Sequence, residues 1–290
     1  MFVVGAHRSG TSAITGLITA LGVPLCREAD LVPAGEGNVA GHWESATLIR
    51  RNEQILHLLG AAWDCPPAAG QEHATRLTAD LRSGPARRAF RRAYPTDRWV
   101  WKDPRLCVVL PFWRAVLPGH HVTVLAIRHP MEVARSLSAR NELTIVHGLA
   151  IWERYLRGAL LGCTGMPVLV VKQADLISDP ARTARDLRRF LARHEFAPTR
   201  ALSAAVAGID RSLHHHVAGG RGRGLSAQQR RLWHTLDSLV GEHPAFAPPS
   251  VGRETPGLEA FLAPRRSFWG WPAPADLVVD PVLGTVAPYP

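Results

Sequence analysis

The sequence predicts an α/β fold, a central parallel sheet flanked by helices on both faces, and two observations carry that prediction. Short, continuously apolar runs alternate with longer segments whose apolar residues recur at helical spacing, the pattern of strands buried on both faces and the helices that cover them. The first apolar run, Phe2-Val3-Val4, also passes straight into a glycine-rich turn and a helix, the unit that opens a P-loop-type three-layer sandwich. With 290 residues, 46% of them hydrophobic, the chain reads as a single domain over 1–290, its core at about 1–200 and a helical, proline-rich extension at about 201–290.

The elements follow in order. A helix is expected from Thr11 to Leu21, stopped by Gly22, then an irregular Gly/Pro-rich stretch over 23–43 that is long enough to be functional. Helical spacing returns over Ala46 to Leu59 and, in a more polar form, from about Glu72 to Tyr94. Trp99-Val100-Trp101 is a short strand ending at Lys102-Asp103-Pro104-Arg105, and Val122 to Ile127 a longer one ending at Arg128-His129-Pro130. Helices are expected from Pro130 to about Arg140 and over Leu143 to Leu161, then a strand over Pro167 to Val171 and a helix over Pro180 to Arg193. Past Ala201 the pattern weakens to one helix around Ser226 to Val240 and a coil from Pro244 onward. Charged residues gather at the carboxyl ends of the strands, where ligands of parallel sheets sit.

Composition removes several classes of function. No apolar run approaches the ~18 residues of a membrane span, and the strand at Phe2 leaves no room for a secretion signal, so a cytoplasmic protein with no membrane partner is expected. Cys26, Cys65, Cys107 and Cys163 are far apart with no zinc spacing; buried free thiols and no metal are expected. The formal charge of +10 comes from 34 basic residues scattered along the chain, of which only Lys102 and Lys172 are lysines. Scatter of that kind argues against a nucleic-acid or polyanion binder, which concentrates its charge.

The turn Gly5-Ala6-His7-Arg8-Ser9-Gly10-Thr11-Ser12 has glycines spaced to converge backbone N–H groups on a phosphate at a helix N-terminus. Thr11 stands where an ATP-binding loop places lysine, and no clear aspartate for magnesium stands at a strand end, which disfavours an ATP-dependent phosphotransferase. Glycine-rich turns of this kind also occur without a ligand. At the second strand end Arg128 offers a fork of donors, and Ser136 follows two helical turns later; the bland alternative is a helix start with a solvated charge.

These two elements resemble the sulfotransferases that use 3′-phosphoadenosine 5′-phosphosulfate (PAPS), over about residues 1–195. The core Arg8-Ser9-Gly10-Thr11-Ser12 resembles that family's 5′-phosphosulfate loop, and Arg128 with Ser136 stands at the spacing of its 3′-phosphate segment. Arg8 departs from the lysine of cytosolic members but is similar to several carbohydrate sulfotransferases. Trp101-Lys102-Asp103-Pro104-Arg105 resembles an element of bacterial and carbohydrate members.

The resemblance implies a PAPS-dependent transferase that passes a sulfuryl group to a hydroxyl or amine of a small-molecule or carbohydrate acceptor and leaves adenosine 3′,5′-bisphosphate. Arg8, Ser9, Gly10, Thr11, Ser12, Arg128 and Ser136 would bind the donor, with Arg8 and Lys102 stabilising charge. An ordinary ion pair of Lys102 with Asp103 is the alternative for the lysine. For the acceptor's proton, Glu44 is favoured by a comparable glutamate in related enzymes, and His42 competes through its ordinary pKa; Glu44 can also be read as a charge at a helix N-terminus. Trp43, Trp63, Trp113 and Trp152 read as core before they read as pocket. The histidine triplet 214–216 and the Arg-Gly run 219–224 receive no role. Acceptor identity and oligomeric state are not legible.

Overall fold

The computed structural model describes residues 1–33, 43–68, 83–117, 119–196, 198–200 and 224–262. Strand β1 (Phe2–Val4) leads into α1 (Thr11–Ala20); a 3-10 turn (Glu28–Asp30), α2 (Ala46–Leu58) and α3 (Ser83–Ala93) precede β2 (Trp101–Lys102). There follow α4 (Leu106–Val116), β3 (Thr123–Ile127), α5 (Pro130–Asn141), α6 (Ile145–Gly162) and β4 (Val168–Lys172). The last elements are α7 (Gln173–Ser178), α8 (Pro180–Arg193), α9 (Ala227–Ser238), β5 (Gly241–His243) and α10 (Leu258–Phe261).

Among the described residues the sheet runs β2-β1-β3-β4-β5, parallel throughout except for the last strand. Side-chain alternation splits it into two layers of core. Phe2, Val4, Leu125, Ile127, Val168 and Val170 face a core shared with α2 to α6 and α9, whereas Val3, Val124, Ala126, Leu169 and Val171 face α1 and α8. Each helix shows why it forms. In α8, Pro180 occupies the first turn, the Asp179 carboxylate caps the Arg182 N–H at 2.9 Å, and Ala184, Leu187, Phe190 and Leu191 form the buried stripe.

The strand order places the reversal of direction between β1 and β3: the chain leaves β1 for β2 on one side and returns to β3 on the other. The crevice at such a reversal is where open α/β sheets bind ligands. Both candidate anion-binding corners follow the two strands that flank it.

Two expectations are corrected, and one helix appears that the sequence reading lacked. The sheet is not wholly parallel, because Gly241-Glu242-His243 pairs antiparallel with β4 (Val168 against His243); it is a half-buried edge held by backbone hydrogen bonds, with no apolar run to announce it. Helix α4 has no counterpart in the sequence reading and carries Pro111 inside it. Burial of Leu106, Cys107, Val109, Leu110, Phe112, Trp113 and Val116 offsets the helix-breaking proline. The strand expected from Trp99 begins only at Trp101, since the Val100 N–H bonds the Pro24 carbonyl at 2.9 Å instead of a neighbouring strand. The polar helix is present as α3, and residues 69–82 of the expected stretch, like 201–223 and everything past 262, lie outside the described residues.

All four cysteines are free, three of them buried and Cys65 half-buried. No helix among the described residues is long and apolar enough to cross a membrane.

Candidate active site

The turn after β1 is shaped by close backbone contact. A side chain on Gly5 would stand 2.6 Å from the Ala126 carbonyl of β3, so only glycine lets the turn start against the neighbouring strand. The Gly5 N–H is satisfied by the Cys107 sulfur at 3.1 Å, a thiol that burial keeps protonated. Gly10 caps α1 at φ 84, without a side-chain cap and with no acidic residue in the first turn, so the first N–H groups of α1 face the turn. Ser9 is fully buried and its hydroxyl has no hydrogen-bond partner among the described residues, a state that buried polar atoms rarely hold without a ligand or water.

Gly10 also lies against Gln173 of α7, whose Cγ would be 2.7 Å from an added Cβ. Gly10→Ala is therefore expected to destabilise the protein by about 1–3 kcal/mol, through the left-handed backbone and the clash together. Adding Gln173→Ala should recover only the clash. Denaturant unfolding reads both, and an unchanged midpoint for Gly10→Ala would refute this account of the turn.

The second corner meets the first. Arg8 holds φ 65, unusual for a residue with a side chain, and its Nε donates to the Ser136 hydroxyl at 2.8 Å. Arg128, at the end of β3, donates from Nη1 to the Arg8 carbonyl at 2.9 Å and from Nε to Glu132 at 3.0 Å. The Trp152 indole anchors the Arg128 carbonyl at 3.2 Å. Arg8 and Ser136, assigned by sequence to opposite phosphates, are thus in direct contact. Burial first, then the nearby charges of Arg140 and Arg128, lowers the Arg8 pKa to about 10. Two guanidinium groups, Arg8 and Arg128, meet at this crevice, and the charge of Arg140 acts on the first of them, a field that favours a multiply charged anion.

Glu44 and Lys102 form a buried ion pair, with the lysine at the end of β2. Asp103, the partner that the alternative reading gave Lys102, is engaged elsewhere: it accepts from Asn52 at 2.9 Å and from Arg105 at 3.1 Å, and Arg105 also pairs with Glu53. Glu44 precedes the N-cap Ser45 of α2 and so is not a charge of that helix's first turn. Burial raises its pKa above the usual carboxylate range, against the pull of Lys102. His42, the competing base, lies outside the described residues, as do the histidine triplet and residues 219–223 of the Arg-Gly run; Gly224, the end of that run, lies 3.9 Å from the Met131 sulfur on α5, measured from an added Cβ.

Trp113 and Trp152 are core, whereas Trp63 is half-buried against His7 (ring centroids 5.0 Å apart) and Trp43 packs on Gly16 of α1. Sequence reasoning missed His7, Tyr155, Arg140 and Gln173. His7 stood inside the quoted turn, but its partner Tyr155 is 148 residues away, and no local signal joins them.

Fold and site together define an α/β protein whose two basic strand-to-helix corners meet at the carboxyl ends of its central strands. Residues 1–197 match the sequence model of the sulfotransferase family, and the chain belongs to that family. Its activity is accordingly sulfuryl transfer, with a small-molecule acceptor implied. It is similar to the solved sulfotransferase domain of the Synechococcus PCC 7002 olefin synthase, at 15% identity over 81% of this chain and 93% of that one, with a TM-score of 0.46. It is similar too to the sulfotransferase domain from the curacin biosynthetic pathway, at 16% identity over 81% and 96%, with a TM-score of 0.47. No curated protein matches the sequence.

Proposed function

We propose that the protein transfers the sulfuryl group of PAPS to a hydroxyl or amine of a small-molecule or carbohydrate acceptor. The observation that carries this reading is the junction of the two corners, Arg128 on the Arg8 carbonyl and Arg8 on Ser136, at the reversal between β1 and β3. A doubly phosphorylated ligand would meet a guanidinium at each of these two joined corners. The buried, unpartnered Ser9 hydroxyl and the uncapped start of α1 fit such a ligand.

The donor, when bound, supplies a sulfuryl group carried on a phosphate leaving group. Ser9, Gly10, Thr11 and Ser12 hold its 5′ end with the backbone N–H groups of the turn, and Arg128 with Ser136 its 3′-phosphate. Arg8 compensates charge and stays protonated at neutral pH. Glu44 receives the acceptor's proton at its carboxylate, with His42 as the alternative. Once neutralised, Glu44 no longer balances the charge of Lys102, and the ammonium compensates charge on the leaving side.

Calorimetry with adenosine 3′,5′-bisphosphate, AMP and magnesium ATP tests the reading. The bisphosphate should bind at least tenfold more tightly than AMP, the share of one charge-assisted phosphate contact at roughly 1.5–3 kcal/mol. Equal affinity for the two would defeat it, and preference for magnesium ATP would favour a phosphotransferase.

A further inference from the structure

His7 is the one side chain of the turn that the donor-binding assignment leaves without work. Its Nε2 lies 3.1 Å from the Tyr155 hydroxyl, and that hydroxyl donates its single proton to the Trp63 carbonyl at 2.9 Å. Tyr155 therefore has no proton left for the imidazole, so Nε2 carries the ring's N–H and Nδ1 carries the lone pair. Edge contacts with Trp63 and Tyr155, at 5.0 and 5.1 Å between centroids, hold the ring in that orientation. Among the described residues, no donor reaches Nδ1.

The charges that act most strongly on the ring are positive. Arg105 and Lys102 approach from the end of β2, Arg140 from α5 and Arg8 from the turn itself, and with burial as the leading cause they hold the His7 pKa well below its ordinary value. Glu53 and Asp103 on Arg105, and Glu44 on Lys102, soften this field without reversing it. The uncharged Tyr155 hydroxyl completes the surroundings. A phosphate-bearing ligand in the adjoining turn brings the opposite charge, and the cost of protonating the ring falls.

We propose that His7 is a protonation site coupled to the donor: with Nε2 tied to the Tyr155 hydroxyl, its Nδ1 takes up a proton as the nucleotide's phosphates enter the turn that carries it. The inference rests on the PAPS reading above. Its sign is fixed: proton uptake on binding makes nucleotide affinity rise as pH falls, by at most about tenfold per pH unit from this group.

The test is calorimetric titration of the full chain with adenosine 3′,5′-bisphosphate at about pH 6.5, in buffers of different ionisation enthalpy, beside His7→Gln. Glutamine sets an amide nitrogen near the Nε2 position, so Tyr155 keeps a partner, but it cannot ionise. The second ionisation of the ligand's phosphates, near a pKa of about 6, contributes equally to both proteins and cancels in the difference. The wild type should take up measurably more protons per nucleotide than the variant. Equal counts would overturn the proposal while leaving the PAPS reading intact, and absence of any preference for the bisphosphate over AMP would remove the reading itself. A second measurement needs no variant. Deuterium exchange at the His7 ring carbon, followed by mass in the peptide that carries it, should show a titration midpoint that moves upward with nucleotide, and an unmoved midpoint counts equally against the coupling.

Discussion

Arg128→Ala is expected to remove the preference for adenosine 3′,5′-bisphosphate over AMP and to weaken bisphosphate binding by about 10²-fold, the scale of one lost guanidinium–phosphate fork. Affinity for AMP should change far less, because AMP lacks the phosphate that Arg128 is assigned to hold. The guanidinium is well placed for that contact: it is buried at the end of β3 and oriented by Glu132 on one side and the Arg8 carbonyl on the other. Some loss reaches the first corner as well, since the Arg8 carbonyl gives up a donor. Arg128→Lys separates the two effects. It keeps the charge without the planar fork, so partial affinity with a reduced preference is the expected result. Calorimetry on the three proteins decides, and an alanine variant that still favours the bisphosphate by its original ratio would remove Arg128 from the donor site.

What could be read beforehand was whatever is encoded in neighbouring residues. The turn from Gly5 to Ser12, the strand ending at Arg128 and the helix Pro180–Arg193 each carry their signal within a few positions, as glycine spacing, a strand followed by proline, or a capped amphipathic stripe. Strand β5 was not legible because a three-residue edge strand with a glycine, a glutamate and a histidine has no alternation to detect; its partner supplies the order. Helix α4 was hidden by Pro111, whose local penalty is outweighed only by a tertiary core invisible in one segment. In the site, the corners were readable but their junction was not. Glu44 and Lys102 are 58 residues apart, and Arg8 and Ser136 are 128 apart. Nothing local could show that Lys102 would choose Glu44 over the adjacent Asp103, a choice made by Asn52 and Arg105 occupying that aspartate first.

The same crowding of charge separates stability from activity at Arg8. Arg8→Ala is expected to lower kcat by about 10²–10³-fold, the usual consequence of losing a preorganised group at developing charge, with a thermal midpoint equal to or above that of the wild type. Removing a partly buried guanidinium on which the charges of Arg140 and Arg128 act relieves desolvation and repulsion, and the hydrogen bond to Ser136 is returned in part by water. Alanine keeps the left-handed strain at this position, φ 65, whereas glycine releases it, so Arg8→Gly should be the more stable of two equally inactive variants. Single-turnover kinetics and thermal unfolding on the same preparations supply both readouts. A residue retained for packing would show the reverse pattern, a lower midpoint with activity largely kept; a residue retained for the donor's charge shows a protein that stands heat at least as well and no longer transfers its group.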